Sequence, residues 1–156
     1  TNPVSIVILD LDHFKAINDE HGHLVGDRIL RGVAKRVRAE LRSMDALNRS
    51  DYRRSLGRFG GEEFIVILPG TALRGAAECA ERIRAAIAAR PFDETYRVTI
   101  SSGVAQYRRG ETLPEMLARA DEALYRAKSE GRNRVVVSGN LSTMRAEVLD
   151  LRPATR

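Results

Sequence analysis

The stretch "LGRFGGEEFIVIL", residues 56–68, sets two short apolar runs on either side of Gly60-Gly61 and then places Glu62 beside Glu63. Paired glycines between apolar runs predict a hairpin, with strands over Leu56 to Phe59 and Phe64 to Leu68 and a tight turn between them. A hairpin does not need two carboxylates at its tip. Like charges that close repel unless something positive stands between them. The stretch therefore predicts both a piece of sheet and a need for a cation.

On the N-terminal side, Val4 to Leu9 is a continuous β-branched and apolar run that ends in "DLDHFKAIND". Such a run fits a strand covered on both faces. Ile29, Val33 and Val37 recur every four residues, which predicts a helix from Gly26 to about Leu41. Residues 43–55 are polar and Arg-rich and are expected to form a loop that leads into the hairpin.

Beyond the hairpin, "PGT" breaks the strand, and Thr71 is the expected N-cap of an alanine-rich helix reaching about Arg90, before Pro91. Arg97 to Gln106 alternates as a strand does, and Thr112 or Leu113 opens a helix to about Ser129. "EGRN" is a helix stop, and "RVVV" is a last strand.

Strands interleaved with helices predict an α+β fold. The plan is a ferredoxin-like, palm-type βαββαβ arrangement with an extra helix and strand, a mainly antiparallel central sheet and flanking helices. In that plan the first strand is central and its end meets the hairpin tip.

The chain has 156 residues and a net charge of +5, carried mostly by Arg. The arginines are scattered over several segments, which argues against a dedicated nucleic-acid patch. The single Cys79 excludes an intrachain disulfide and reads as a buried thiol. No window is long and apolar enough to span a bilayer, and no signal peptide is expected at the start. The chain opens almost directly on a strand, as a piece of a longer protein would. The domain itself is expected in the cytoplasm, with a sensor or membrane region outside it.

Asp10 and Asp12 close the first strand, and Glu62 and Glu63 occupy the hairpin tip. Such hard oxygens suit Mg²⁺ (or Mn²⁺), which takes few protein carboxylates and completes its shell with water and phosphate oxygens. The backbone amides of "DLDHFKAIND", with Lys15 among them, make a phosphate seat. Lys128 and Arg132 flank the end of the last helix, where they suit either its dipole or a triphosphate. Asp27 suits a helix start, and His21-Gly22-His23 lacks the third ligand of a metal site.

Together these segments resemble the GGDEF family of diguanylate cyclase domains. "RFGGEEF" is similar to the family's signature, in its GGEEF form. "DLDHFKAINDEHGHLVGDRIL", "TISSGVA" and "ADEALYRAKSEGRNRVVV" resemble its first strand and phosphate loop, its later strand and its closing helix. The resemblance covers roughly residues 4–137. It implies a catalytic domain over 1–137, without the family's usual N-terminal helix, and a C-terminal tail over 138–156.

The activity implied is Mg-dependent nucleotidyl transfer across a homodimer, joining two GTP into cyclic di-GMP and pyrophosphate. By the same resemblance Asp10, the Leu11 carbonyl, Glu62 and Glu63 would hold metal, and Glu63 would help accept the proton of the attacking hydroxyl. Asn18 and Asp27 would bind guanine. His13, Phe14, Lys15, Lys128 and Arg132 would hold the phosphates.

Two features depart from the family pattern. The helix and segment that precede the first strand are missing, and that segment links to a regulatory domain and helps close the nucleotide site. Their absence weighs against activity of this piece alone. The family's product-inhibition pair, R-x-x-D, occurs as Arg42 and Asp45, but fourteen residues separate Asp45 from Gly60, nine more than the family spacing. At the usual spacing stands "DYRR", residues 51–54. Weakened or altered product inhibition is expected. The alternative reading is a catalytically silent module that binds GTP or cyclic di-GMP.

Overall fold

The structure, a computed structural model, describes residues 2–47 and 53–139. Its elements run β1 (Val4–Leu11), α1 (Phe14–His21), α2 (His23–Leu47), β2 (Ser55–Arg58), β3 (Glu63–Pro69), α3 (Leu73–Ala89), β4 (Ile100–Gln106), α4 (Leu113–Ser129) and β5 (Val135–Val137). They form one mixed α+β fold. The five strands lie in the order β2-β3-β1-β4-β5. Only the β4–β5 pair is parallel. β1 is central, as the apolar run predicts, and every residue from Ser5 to Leu11 is buried.

Strand alternation sends β1 side chains to two cores. Val7, Leu9 and Leu11 join Ile29, Val33, Val37, Ala80 and Ile83 under α2 and α3. Ile6 and Ile8 meet Met116, Ala120 and Leu124 of α4 on the other face. β4 presents Ser101, Gly103 and Ala105 toward α4, and these small residues let the helix lie close to the sheet. A Cβ built on Gly103 would stand 2.0 Å from the Ala120 carbonyl oxygen.

Four features differ from what the sequence leads one to expect. α2 runs on to Leu47, because Met44 continues the buried stripe of Val37 and Leu41. "DHFKAIND" contributes a helix of its own, α1, set off from α2 at Gly22, whose φ is 85°. Thr71 does not cap α3. Its hydroxyl donates to the Pro69 carbonyl at 3.2 Å, and the Leu73 amide donates instead to the Gln106 side chain at 2.7 Å. The strand expected from Arg97 begins at Ile100. The tail expected from residue 138 lies outside the described residues apart from Ser138 and Gly139. Burial pushes the Cys79 thiol up to about 11, as suits a structural thiol.

α4 starts as its sequence predicts, with a capping box in which Thr112 and Glu115 bond each other's backbone amides. Beside it, Arg119 donates to Glu111 at 2.7 Å, to the Ser138 hydroxyl at 2.7 Å and to the Gln106 carbonyl at 2.6 Å. The Arg119 bond holds the Glu111 carboxyl below the ordinary carboxylate value, despite partial burial. A carboxylate lowered on folding stabilises above its unfolded pKa, and that contribution is lost as pH falls through the folded value. Glu111→Gln is therefore expected to cost about 2 kcal/mol at neutral pH. In thermal melts the gap to the parent protein should narrow as pH falls below the ordinary carboxylate value and close below the lowered folded one.

Candidate functional site

The end of β1 and the tip of the β2–β3 hairpin meet because β1 pairs with β3. Asp10 stands directly opposite Glu63 in the antiparallel register, and the Leu11 amide donates to the Glu62 carbonyl at 3.4 Å. Residues opposite each other share a face, so both carboxylates project on the α4 side of the sheet. Lys128, in the last turn of α4, donates to Asp10 Oδ2 at 2.6 Å. Asp10 Oδ1 is buried with no partner among the described residues. Burial first, and then the Asp10 charge, push the Glu62 and Glu63 carboxyls above their ordinary range, while Lys128 offsets part of this. Asp121 on α4 adds to the effect at Glu63.

The hairpin turn is held by backbone and by one arginine. The amides of Phe59 and Gly60 donate to the Glu63 carbonyl at 2.9 and 3.2 Å. Arg58, which the sequence reading passed over, donates to the Gly60 and Gly61 carbonyls at 3.2 and 2.6 Å. Neither Gly60 nor Gly61 is among the residues with positive φ. What these glycines supply is space: a Cβ on Gly60 would sit 3.1 Å from a Glu63 carboxyl oxygen, and one on Gly61 would face open solvent. The turn thus shows bare backbone beside the carboxylates.

A cleft of about 400 Å³ opens there, lined by Asp10, Leu11, Asp12, His13, Phe14, Lys15, Ala16, Asp19, Glu62, Lys128 and Arg132. His13 enters α1 with a left-handed backbone, φ 56°, so that the helix N-terminus lies along the cleft. Phe14 is buried there. The residues expected to hold phosphates therefore share one hollow with Asp10, Leu11 and Glu62 of those expected to hold metal, while Glu63 stands outside its lining. Among the described residues, no three His, Cys, Asp or Glu side chains are arranged to enclose a metal by themselves. A cation that keeps several ligands from water and phosphate does not need such a cage. The orphaned Asp10 oxygen and the two crowded glutamates are the donor set such an ion would fit.

A second hollow, about 420 Å³, lies on the other side of the hairpin base, lined by Asp27, Leu30, Arg31, Ala34, Arg38, Arg58 and Phe64. Asn18 is placed near it through Gly26, the neighbour of Asp27. A Cβ on Gly26 would fall 1.9 Å from Asn18 Oδ1, so only glycine lets α1 pack this close to α2. Asn18 Oδ1 is likewise buried without a partner among the described residues.

Asp12 departs from the expected set of four carboxylates. It leans toward β4 and β5, away from the hairpin, and accepts from Thr99, Ser101 and the Asn133 amide at 2.7, 2.6 and 3.0 Å. Arg42 is exposed on α2, while the Asp45 carboxylate accepts from Arg54 at 2.6 Å. Asp51 and Tyr52 of "DYRR" lie outside the described residues. Among those described, no helix is long and apolar enough to cross a membrane.

Comparison with known proteins places these features in context. The family profile described as "GGDEF: Diguanylate cyclase, GGDEF domain" matches residues 1–134. Diguanylate cyclase DgcP of Pseudomonas aeruginosa is 44% identical over 136 residues, which is 85% of this chain and 19% of that protein. Response regulator PleD of Caulobacter vibrioides is 45% identical over 141 residues, 86% of this chain and 29% of that protein. The chain thus spans less than a third of these curated relatives.

Among solved structures, the active GGEEF domain of a Vibrio cholerae diguanylate cyclase superposes with a TM-score of 0.77 at 34% identity, over 89% of this chain and 85% of that one. The GGDEF domain of DgcB from Caulobacter crescentus, solved in complex with c-di-GMP, gives a TM-score of 0.76 at 35% identity, over 87% and 78% of the two chains.

Proposed function

The chain belongs to the GGDEF family of diguanylate cyclase domains, and from that premise we propose that it joins two GTP molecules into cyclic di-GMP and pyrophosphate, with each protomer of a homodimer presenting one GTP. The observation that carries this reading is a single cleft in which the unpartnered Asp10 oxygen and Glu62 lie with Lys15, Lys128 and Arg132. That mixture suits a nucleotide triphosphate and a divalent ion together. It suits neither one alone, because bare phosphates and bare carboxylates would repel.

Asp10, the Leu11 carbonyl, Glu62 and Glu63 would hold Mg²⁺ or Mn²⁺, which supplies charge neutralisation to the phosphates and the attacking oxygen. Lys15, Lys128, Arg132 and the backbone amides of His13 and Phe14 bind the phosphates, a task of positioning and electrostatics in phosphoryl transfer. Glu63 stands at the tip, where it can accept the 3′-hydroxyl proton. Asp27 reads guanine, since its carboxylate can accept from N1–H and the 2-amino group together, with Asn18 beside it. Adenine offers no such donor pair. The catalytic unit covers residues 1–137, and a regulatory domain in the longer protein controls it.

Incubating the chain at high concentration with GTP and Mg²⁺, followed by nucleotide chromatography, tests the proposal. Cyclic di-GMP in the eluate supports it. GTP that is bound but unconverted points to the silent binding module.

Arg42 and Asp45 form the product-binding pair by family likeness, but Arg54 already occupies the Asp45 carboxylate, with side chains only 12% and 26% exposed. A ligand that uses Asp45 must displace Arg54, at about 1 kcal/mol or more for a charged hydrogen bond. Cyclic di-GMP is therefore expected to inhibit weakly, and Arg42→Ala should change the inhibition constant less than threefold. Tight binding of cyclic di-GMP lost in Arg42→Ala, measured by calorimetry, would contradict this.

A further inference from the structure

The turn between α4 and β5 carries Gly131, Arg132 and Asn133 in succession at positive φ, of 125°, 64° and 45°. Two of these are not glycine, and a left-handed non-glycine residue is a strained conformation that persists only where its surroundings over-determine it. The enforcement is visible. Asp12 is 5% exposed and is fixed on β4 by the Thr99 and Ser101 hydroxyls, and it accepts from the Asn133 amide at 3.0 Å. The Asn133 side chain accepts from Arg84 of α3 at 2.8 Å, and Arg84 is itself held by Glu81. The Arg132 amide donates to the Ala127 carbonyl at 3.0 Å. Along the chain, Asp12 is joined to His13, whose own left-handed backbone opens the helix that carries Lys15. One buried carboxylate therefore ties together the two strained turns that line the cleft.

We propose that Asp12 is a positioning residue. Acting through the Asn133 amide, it sets Arg132 at a fixed distance from the α1 entrance and Lys15, and so matches the cleft to a triphosphate. This rests on the reading of the cleft as the seat of GTP phosphates. Both Asp12 carboxylate oxygens are already taken by donors from Thr99, Ser101 and Asn133, so the proposed role runs through Arg132. A loosened anchor of this kind moves the guanidinium by a fraction of an ångström to an ångström, enough for about a tenfold loss.

The test measures binding of 3′-deoxy-GTP, which cannot cyclise, and of guanosine, in the presence of Mg²⁺. The proteins are the parent chain, Asp12→Asn, Arg132→Ala and the double variant. Each single variant should bind 3′-deoxy-GTP about tenfold more weakly, with guanosine binding unchanged. The double variant should be no worse than Arg132→Ala alone, since two residues acting as one unit are not additive.

Full additivity, or an Asp12→Asn protein that binds 3′-deoxy-GTP normally, overturns the proposal and leaves the phosphate reading standing. An Arg132→Ala protein with undiminished 3′-deoxy-GTP binding overturns both. If Asp12→Asn melts below the assay temperature, Thr99→Ala, which removes one of the hydroxyls that fix Asp12, takes its place. A loss confined to 3′-deoxy-GTP and absent in the Arg132→Ala background supports the inference, whereas an equal loss for guanosine overturns it.

Discussion

Glu63→Gln is expected to lower the rate of cyclic di-GMP formation by at least about a thousandfold, the scale on which a group that stabilises developing charge acts, while the protein remains folded. The structure separates the two roles of this residue. Its carbonyl closes the hairpin by accepting from Phe59 and Gly60, and the substitution leaves that carbonyl in place. Its side chain stands opposite Asp10, and burial first, then that like charge, push it toward protonation. Glutamine keeps the shape and removes the charge, so the fold loses a repulsion and no packing. On the proposed mechanism the reaction would lose a metal-binding oxygen and the acceptor for the hydroxyl proton. Circular dichroism melts beside product chromatography check both halves. A variant that still cyclises GTP at a tenth of the parent rate would remove Glu63 from the chemistry.

Gly103→Ala is expected to have the largest effect on stability. A methyl group there would stand 2.0 Å from the Ala120 oxygen and 2.4 Å from the Leu124 nitrogen. Both are backbone atoms of α4, which cannot swing aside as a side chain can, so the whole helix must lift from the sheet. Overpacking of this kind costs about 3 kcal/mol, which for a chain of this size lowers the melting temperature by about 10 °C. Activity should fall further than stability does, because α4 carries Lys128 to Asp10. Gly57→Ala is the control: its methyl would rest 3.5 Å from the Ile65 side chain, an ordinary contact, and should shift the melt by no more than about 2 °C. An unchanged melt for Gly103→Ala would mean that α4 is not seated as described.

The sequence was most readable where one physical signal dominated. The β-branched run at Val4–Leu9, the glycine hairpin and the helix expected to open at Thr112 or Leu113 each correspond to an element of the fold. It was least readable where a partner distant in the chain decides. The end of α2 is set by burial of Met44, and a window of polar neighbours hides that. The cap of α3 comes from Gln106, thirty-three residues on, while the local candidate Thr71 turns back to Pro69.

The site divides in the same way. Asp10 and Glu62 are drawn together by strand register, which the order of elements implies. The separate duty of Asp12 is not implied, because in the sequence Asp10 and Asp12 are equivalent strand-end acids. The hydroxyls of Thr99 and Ser101 and the Asn133 amide, all distant in the chain, distinguish them. Arg58 could have been noticed as a fork of donors two residues before paired glycines, whose bare carbonyls need partners.

The central place of β1 has a consequence for biosynthesis. The strand leaves the ribosome before both of its neighbours, β3 at Glu63–Pro69 and β4 at Ile100–Gln106. Until the second of these emerges, a run of aliphatic residues has one or both edges open to other nascent chains. Distant partners of this kind slow folding and lengthen the time in which strands can pair wrongly. Asp10 and Asp12, which close the run, place charge at its end and discourage such pairing, a service to the newborn chain that is independent of any nucleotide.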